Sequence, residues 1–333
     1  VEPLRWGIAG AGRIARRFCS DLVLHAKQGH LEAVAARDGA RAEAFARELG
    51  VRSHGSYQAL AEDPQIDAVY IALIHPFHRP VTELMLRHGK HVLVEKPAFT
   101  RLEDWQAMQA LAHGQGLLLL EAMKTVVFPA YQHLVTRIRE QGLPIRHIRA
   151  AFGTWHDPWC GLPPFQPHLC GGATLDVGVY PLWLYADLCR QMGLQPGSPG
   201  GTLKALNEKC LVDGSARYRF VGEVEGDLGA AISEDLPRDA ELQGPDLRIR
   251  MAEKWWNPQE VQIEWQGRFE HLQHPIAGGG FQFEADHFAR LVRAGALDSP
   301  LLSQAISAQV MGWMEEILRE QGFAHLLIHE PQP

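Results

Sequence analysis

Leu4-Arg5-Trp6-Gly7-Ile8-Ala9-Gly10-Ala11-Gly12-Arg13-Ile14-Ala15 begins with a short apolar run, turns on glycines and leads into a helix. Gly10 and Gly12 let the backbone approach a phosphate closely, and Ala15 fills the third small position of G-x-G-x-x-G/A, where a bulkier side chain would push the helix off the strand. A helix starting behind such a turn aims unpaired N–H groups at a pyrophosphate. The same turn can be purely structural, but its place between strand and helix predicts a nucleotide site with Gly10, Gly12, Arg13 and Ile14 at the phosphates.

The segments that follow repeat this unit. Strands are expected over 5–9, 31–36, 66–73 and 91–94, with a further apolar run at 117–120. Helices are expected over 14–26, 40–49, 80–87 and 102–112, and a short one opens over 56–60. Gly50 and Gly89 stop two of them. Alternation of this kind makes a parallel sheet covered on both faces, so residues 1–122 are assigned to an α/β nucleotide-binding domain. In residues 123–333, helices over 129–141 and 174–192 surround a strand at 145–154 and a connection rich in Trp, Pro and Gly. Strands at 201–206, 216–221, 229–232, 247–252 and 261–265, separated by polar turns, then fit a largely antiparallel open sheet. Amphipathic helices over 283–294 and 301–320 either cover that second domain or return the chain toward the first.

With 333 residues and 46% hydrophobic content, the chain can form more than one core. Its 32 basic and 39 acidic side chains leave a net charge of -7, which gives no footprint for nucleic acid or an anionic membrane. No apolar run approaches the roughly 20 residues that span a bilayer, and no secretory leader is recognisable, so a cytoplasmic location is the expectation. The five cysteines form no CxxC pair, which argues against a disulfide scaffold. His156, Asp157, Cys160, His168 and Cys170 are suitable metal-ligand types without a zinc spacing, so no metal is expected and a metal-dependent hydrolase is the weaker enzyme alternative.

The end of the second strand, Ala35-Ala36-Arg37-Asp38, with Arg41 beyond it, bears on the nucleotide. A ribose 2′-phosphate needs cationic donors, which Arg37 and Arg41 provide; an unphosphorylated ribose favours an acid, which Asp38 supplies if the strand ends one residue later. NADP(H) is expected ahead of NAD(H).

WGIAGAGRIA, VAARD, HPFH, VEKPAFT and GGATLDVGVYPL, with GFQFEADHFARLVRAG near the end, together resemble the glucose-fructose oxidoreductase/inositol dehydrogenase/MocA family. Within it the pattern is similar to the dimeric dihydrodiol dehydrogenases and related sugar oxidoreductases. The resemblance runs over nearly the whole chain and rests most on EKP coupled to GG-x-x-x-D-x-G-x-Y. It implies an N-terminal Rossmann domain, a C-terminal α/β domain that supports a homodimer or tetramer, and hydride exchange between a nicotinamide and a small carbonyl, sugar, polyol or diol. It also implies Lys96, Asp176 and Tyr180 as the catalytic positions. Other members carry His at the place of Tyr180, which leaves a Lys96-centred proton relay as a competing assignment.

The chemistry of these side chains agrees. Glu95-Lys96-Pro97 closes a strand at the edge where α/β sheets present ligand groups, and Pro97 fixes the direction of the turn. Lys96 donates to a substrate oxygen in this reading. Asp176 and Tyr180, four apart, share a helix face, where Tyr180 protonates a developing alkoxide and Asp176 orients the substrate or Lys96. The alternative is a packed tyrosine and a helix-capping aspartate. His75, Pro76 and His78 line the cofactor crevice or else organise their loop. Lys124 stands where the dihydrodiol dehydrogenase pattern has Trp, and Val126 where it has Arg, an exchange that favours a more polar substrate. Lys124, Trp155, His156 and Phe281 are candidate substrate contacts, Trp155 and His156 from the linker Trp155-His156-Asp157-Pro158-Trp159-Cys160. A cofactor-binding protein without catalysis, a sensor or structural homologue, is the remaining alternative.

Overall fold

The computed structural model describes residues 2–157, 161–207 and 211–327. The first sheet is built from β1 (Leu4–Ala9), β2 (Gly29–Ala35), β3 (Arg52–His54), β4 (Ala68–Ile71), β5 (His91–Glu95) and β6 (Leu119–Ala122), all parallel in the order β3-β2-β1-β4-β5-β6. β4 is buried at every residue, Ala-Val-Tyr-Ile, because helices cover both faces. Those helices are α1 (Arg13–His25), α2 (Gly39–Leu49), α3 (Tyr57–Glu62), α4 (His78–Arg87) and α5 (Leu102–Gly114). α2 starts on the Asp38 carboxylate and ends on Gly50 in the left-handed region, and Ser56 caps α3. The strand order reverses between β1 and β4, which opens a crevice at their carboxyl ends. Within this sheet, β3 is the strand that the sequence reading lacks: three residues, two of them exposed, carry no hydrophobic period.

α6 (Pro129–Gln141) leads into the second sheet: β7 (His147–Gly153), then, after α7 (Val179–Gln191), β8 (Ser198–Ala205), β9 (Asp213–Val221), β10 (Glu225–Ala231), β11 (Ala240–Gly244), β12 (Leu247–Met251), β13 (Glu260–Trp265) and β14 (Arg268–Gln273). Its order is β14-β13-β12-β11-β7-β10-β9-β8; only β7 and β10 pair parallel. One face packs on α6 and α7. The other alternates outward with charged residues such as Arg219, Asp227, Arg248 and Arg250, giving the period-two burial expected of a one-sided sheet.

The last helices return to the first sheet's layer. α8 (Phe281–Arg293) packs on α1, and α9 (Gln304–Glu320) lies against α5 and α7. Trp6 of β1 sits between Phe18 of α1, at 5.6 Å, and Phe288 of α8, at 5.2 Å. Asp21 on α1 accepts the N–H groups of Gly279, at 2.8 Å, and Phe281, at 2.9 Å, pinning the start of α8.

The helix expected over 174–192 has two parts. Thr174–Gly178 winds as a π-helix and continues into α7. Below it the buried Asp213 carboxylate accepts from Thr174 through its N–H, at 2.8 Å, and its hydroxyl, at 2.6 Å.

Candidate active site

A cleft of about 1120 Å³ runs from the β1–α1 turn to the second sheet. At its nucleotide end Gly10 has φ +126°, and a Cβ there would meet the Ala72 carbonyl oxygen at 2.4 Å, so only glycine fits. A Cβ on Gly12 would meet nothing within 4 Å: this glycine leaves open space in front of α1, whose N-terminus has no side-chain cap. The guanidinium of Arg37 lies 4.2 Å over the Phe77 ring, with Arg41 and Tyr57 also on the wall. Asp38 is committed elsewhere: its Oδ1 accepts from Ala40 and Arg41 at 3.0 and 3.2 Å as the cap of α2.

The chemical end brings both lobes together. The Lys96–Pro97 peptide is cis. Lys96 Nζ donates to the backbone carbonyl of Asp176 at 2.6 Å, stands 3.5 Å from Asp176 Oδ1 and lies 5.0 Å from the Tyr180 ring centre. The wider π turn carries that carbonyl, and local π winding lets a helix depart from its regular hydrogen-bond ladder. Burial works against the Lys96 charge, but Tyr180, Asp176 and Glu95 outweigh it and keep the ammonium protonated. Burial pushes the Tyr180 phenol up to about 12 despite the opposing pull of Lys96, so it is protonated at neutral pH. Tyr180 rests on Phe152, which stacks on Trp256 at 3.8 Å.

His75 donates from Nδ1 to the Cys170 carbonyl at 2.8 Å, since that oxygen can only accept. Burial, with His78 beside it, lowers its pKa to about 4, so the ring is neutral and Nε2 is an acceptor. Deeper in, Lys124 donates to the Gly279 carbonyl at 3.1 Å and faces the Phe281 ring at 4.4 Å. Burial and the charge of Arg17 bring its pKa down to about 8. Glu284 is fully buried with neither carboxylate oxygen hydrogen-bonded to any described residue, and burial holds it well above the usual carboxylate range. Tyr70 donates its hydroxyl to Glu95.

Of the catalytic, cofactor and substrate candidates drawn from the sequence, Gly10, Gly12, Arg13, Ile14, Arg37, Asp38, Arg41, His75, Glu95, Lys96, Lys124, His156, Asp176, Tyr180 and Phe281 all line this cleft. Four do not. His78 is buried beneath it, with Nδ1 toward the Pro97 and Ala98 carbonyls and Nε2 toward that of Leu73, so it organises the loop. Pro76 is buried beside it. Pro97 shapes the turn from behind, and Trp155 is 59% exposed away from the lining. Trp159 and Cys160 lie outside the described residues. Among those described, no three His, Cys, Asp or Glu side chains cluster as metal ligands, and no helix is long and apolar enough to cross a membrane.

Phe152, Trp256, Asn257 and Tyr57 are lining residues that the sequence reading passed over. The adjacent Trp255-Trp256 pair was the available signal: Trp255 turns inward, its indole donating to the Ala151 carbonyl, while Trp256 lines the cleft.

The uncapped α1 N-terminus behind an open Gly12 fits a dinucleotide pyrophosphate, and the converging Lys96 and Tyr180 fit redox chemistry at a carbon–oxygen bond. Such a fold and site define a nicotinamide-dependent oxidoreductase. Residues 4–123 match the GFO_IDH_MocA oxidoreductase family with its NAD-binding Rossmann fold. Trans-1,2-dihydrobenzene-1,2-diol dehydrogenase of Danio rerio is 32% identical over 333 residues, covering 97% of this chain and 98% of the relative. The same-named enzyme of Xenopus tropicalis is 30% identical, covering 96% and 99%. A 3-ketoreductase from Actinomadura kijaniata, solved with NADP and TDP-benzene, superposes with a TM-score of 0.83 at 27% identity over 96% of this chain and 98% of its own. The aldose-aldose oxidoreductase of Caulobacter crescentus, at 20% identity over 96% and 98% of the two chains, shares the fold with a TM-score of 0.85. The chain belongs to the Gfo/Idh/MocA family of NAD(P)-binding oxidoreductases.

Proposed function

We propose that this protein is an NADP(H)-preferring dehydrogenase/reductase that interconverts a carbonyl and a carbinol on a small diol, sugar or polyol. The observation that carries the reading is the meeting of Lys96, from the first lobe, with Asp176 and Tyr180, from the second, in one cleft with the phosphate turn.

Gly10, Gly12, Arg13 and Ile14 hold the pyrophosphate, and Arg37 with Arg41 receives the 2′-phosphate. The capping duty of Asp38 supports this preference, because its carboxylate is already turned to α2. When bound, the reduced nicotinamide supplies the hydride to the carbonyl carbon. As the carbonyl π pair moves onto oxygen, the Lys96 ammonium stabilises the developing alkoxide and the Tyr180 hydroxyl gives that oxygen its proton, leaving a phenolate that the same ammonium faces. In the oxidative direction the same phenol oxygen takes the carbinol proton. Asp176 Oδ1, beside but not consumed by Lys96, is placed to orient a second hydroxyl.

Substrate class follows from the lining of the cleft. Lys96, Asp176 and Tyr180 supply the hydroxyl-binding groups, and Phe152, against the Tyr180 ring and stacked on Trp256, adds an aromatic wall beside them. A ring that presents hydroxyls on one edge and C–H or π surface on its face suits both. Dihydrodiols, ketosugars and polyols therefore belong in one panel, followed by nicotinamide absorbance in both directions. Turnover with NADPH or NADP+ that is lost in Tyr180→Phe supports the proposal. Tight NADPH binding without turnover across the panel favours a cofactor-binding sensor instead.

A further inference from the structure

Glu121, on β6, is 1% exposed and takes part in none of the chemistry above. Its carboxylate nevertheless joins three elements. Oε1 accepts the backbone N–H of Ala98 at 2.9 Å, two residues beyond Lys96 on the cis-proline turn. Oε2 accepts the indole N–H of Trp183 at 2.8 Å, three residues after Tyr180 and one turn along α7. Oε2 also accepts the hydroxyl of Ser307 on α9 at 2.7 Å.

We infer that Glu121 is a positioning residue that sets the placement of Lys96 relative to Tyr180, by tying the lysine turn and the tyrosine helix to one buried carboxylate. The inference rests on the dehydrogenase reading for its catalytic consequence, though not for its geometry. Backbone and indole N–H groups only donate, so both Glu121 oxygens must accept. Glutamine, of the same size but with one acceptor oxygen, cannot satisfy both arms. The direct Lys96–Asp176 contact spans the cleft at its surface, and Glu121 holds the same two elements from beneath. Misplacement of reacting groups by about 1 Å can cost on the order of 10²-fold in rate, so a buried tether at this point acts on turnover rather than on cofactor affinity.

The test uses Glu121→Gln, Trp183→Phe and Ser307→Ala in the full chain. Glutamine keeps the volume but has one acceptor oxygen, so its NH2 faces either the Ala98 or the Trp183 donor and releases that arm. Trp183→Phe releases the helix arm from the other side, which covers the case in which the glutamine variant fails to fold. Ser307→Ala leaves both arms in place. Three readouts are compared: kcat and KM, NADPH affinity, and the rate at which Lys96 is reductively methylated, followed on its peptide by mass spectrometry.

Glu121→Gln and Trp183→Phe should lower kcat about tenfold or more, with NADPH affinity within about threefold of the parent. Both should speed Lys96 methylation roughly threefold as the turn opens. Ser307→Ala should match the parent in kcat and labelling. Unchanged kcat in the two arm variants, or unchanged labelling in both, overturns the inference. Faster labelling in a protein whose parent turns over no substrate sinks the dehydrogenase reading and leaves the tether standing.

Discussion

Lys96 reaches Asp176 through the backbone more closely than through charge: Nζ is 2.6 Å from the carbonyl oxygen and 3.5 Å from Oδ1. Removing the Asp176 side chain therefore leaves the lysine anchored. Asp176→Ala should raise KM with less than about a tenfold fall in kcat, whereas Lys96→Met should cost kcat about 10²–10⁴-fold. Steady-state kinetics on both variants separates the roles; equal losses in kcat would mean that the Asp176 carboxylate does chemistry.

The Tyr180 phenol, held near pH 12 by burial, fixes the sign of the pH dependence. Reduction uses the protonated form and should stay level from neutral pH until the approach to that value. Oxidation uses the phenolate, whose fraction grows about tenfold per pH unit below it. Initial rates in the two directions across about pH 6–10 test this. Tyr180→Phe should abolish the rise in oxidation along with most turnover while NADPH still binds.

Arg37 is exposed, with its guanidinium over Phe77 and no ion-pair partner among the described residues. Arg37→Ala should weaken NADPH by about 10–100-fold, the loss of a charge-assisted contact of about 1.5–3 kcal/mol, and leave NADH affinity unchanged. Titration by fluorescence with both cofactors checks it. An unaltered NADPH/NADH ratio would assign the 2′-phosphate elsewhere.

The two glycines of the turn should fail in different ways. Gly10→Ala sets a Cβ 2.4 Å from the Ala72 oxygen in a left-handed backbone, so it should lower the melting temperature. Gly12→Ala meets no protein atom, so it should melt like the parent and lose NADPH affinity. Melting curves with and without NADPH distinguish the two outcomes.

Asp213 gives the stability a pH signature. Burial raises its pKa to about 7 in the fold, against about 3.9 in an unfolded chain. For a carboxyl raised on folding, its contribution to stability is complete below the lower value and is lost as pH rises toward the higher. The span amounts to on the order of 2–4 kcal/mol. Asp213→Asn carries no such charge, so its melting temperature relative to the parent should climb between pH 5 and pH 8, a window of about three units. A constant difference would show that Asp213 does not titrate there.

Much of this was readable from the chain because it depended on local rules. The glycine turn, the alternation of apolar strands with capped helices, and the EKP turn each carry their meaning in a few adjacent residues. The helix expected over 129–141 coincides with α6, which starts on Pro129 and ends on Gly142 in the left-handed region. The partners of His78 were not legible, because an imidazole shared among Leu73, Pro97 and Ala98 depends on three loops meeting. The π turn at Thr174–Gly178 escaped for a related reason: Asp213, far along the sequence, holds its first residue. β11 and β14 were passed over because polar or charged residues such as Glu241, Arg268 and Glu270 break up their apolar pattern. The Phe152–Trp256 wall likewise required two distant segments to stack.

A crystal structure of the NADP+ complex tests the site most directly. The nicotinamide C4 should face the cavity bounded by Lys96, Tyr180 and Phe152, leaving room for a substrate carbon at about 3–3.5 Å from it and an oxygen within hydrogen-bond reach of both Lys96 Nζ and the Tyr180 hydroxyl. A nicotinamide turned out of that cavity, with the two side chains unable to reach one common oxygen, would contradict the assignment of Lys96 and Tyr180 to the reaction.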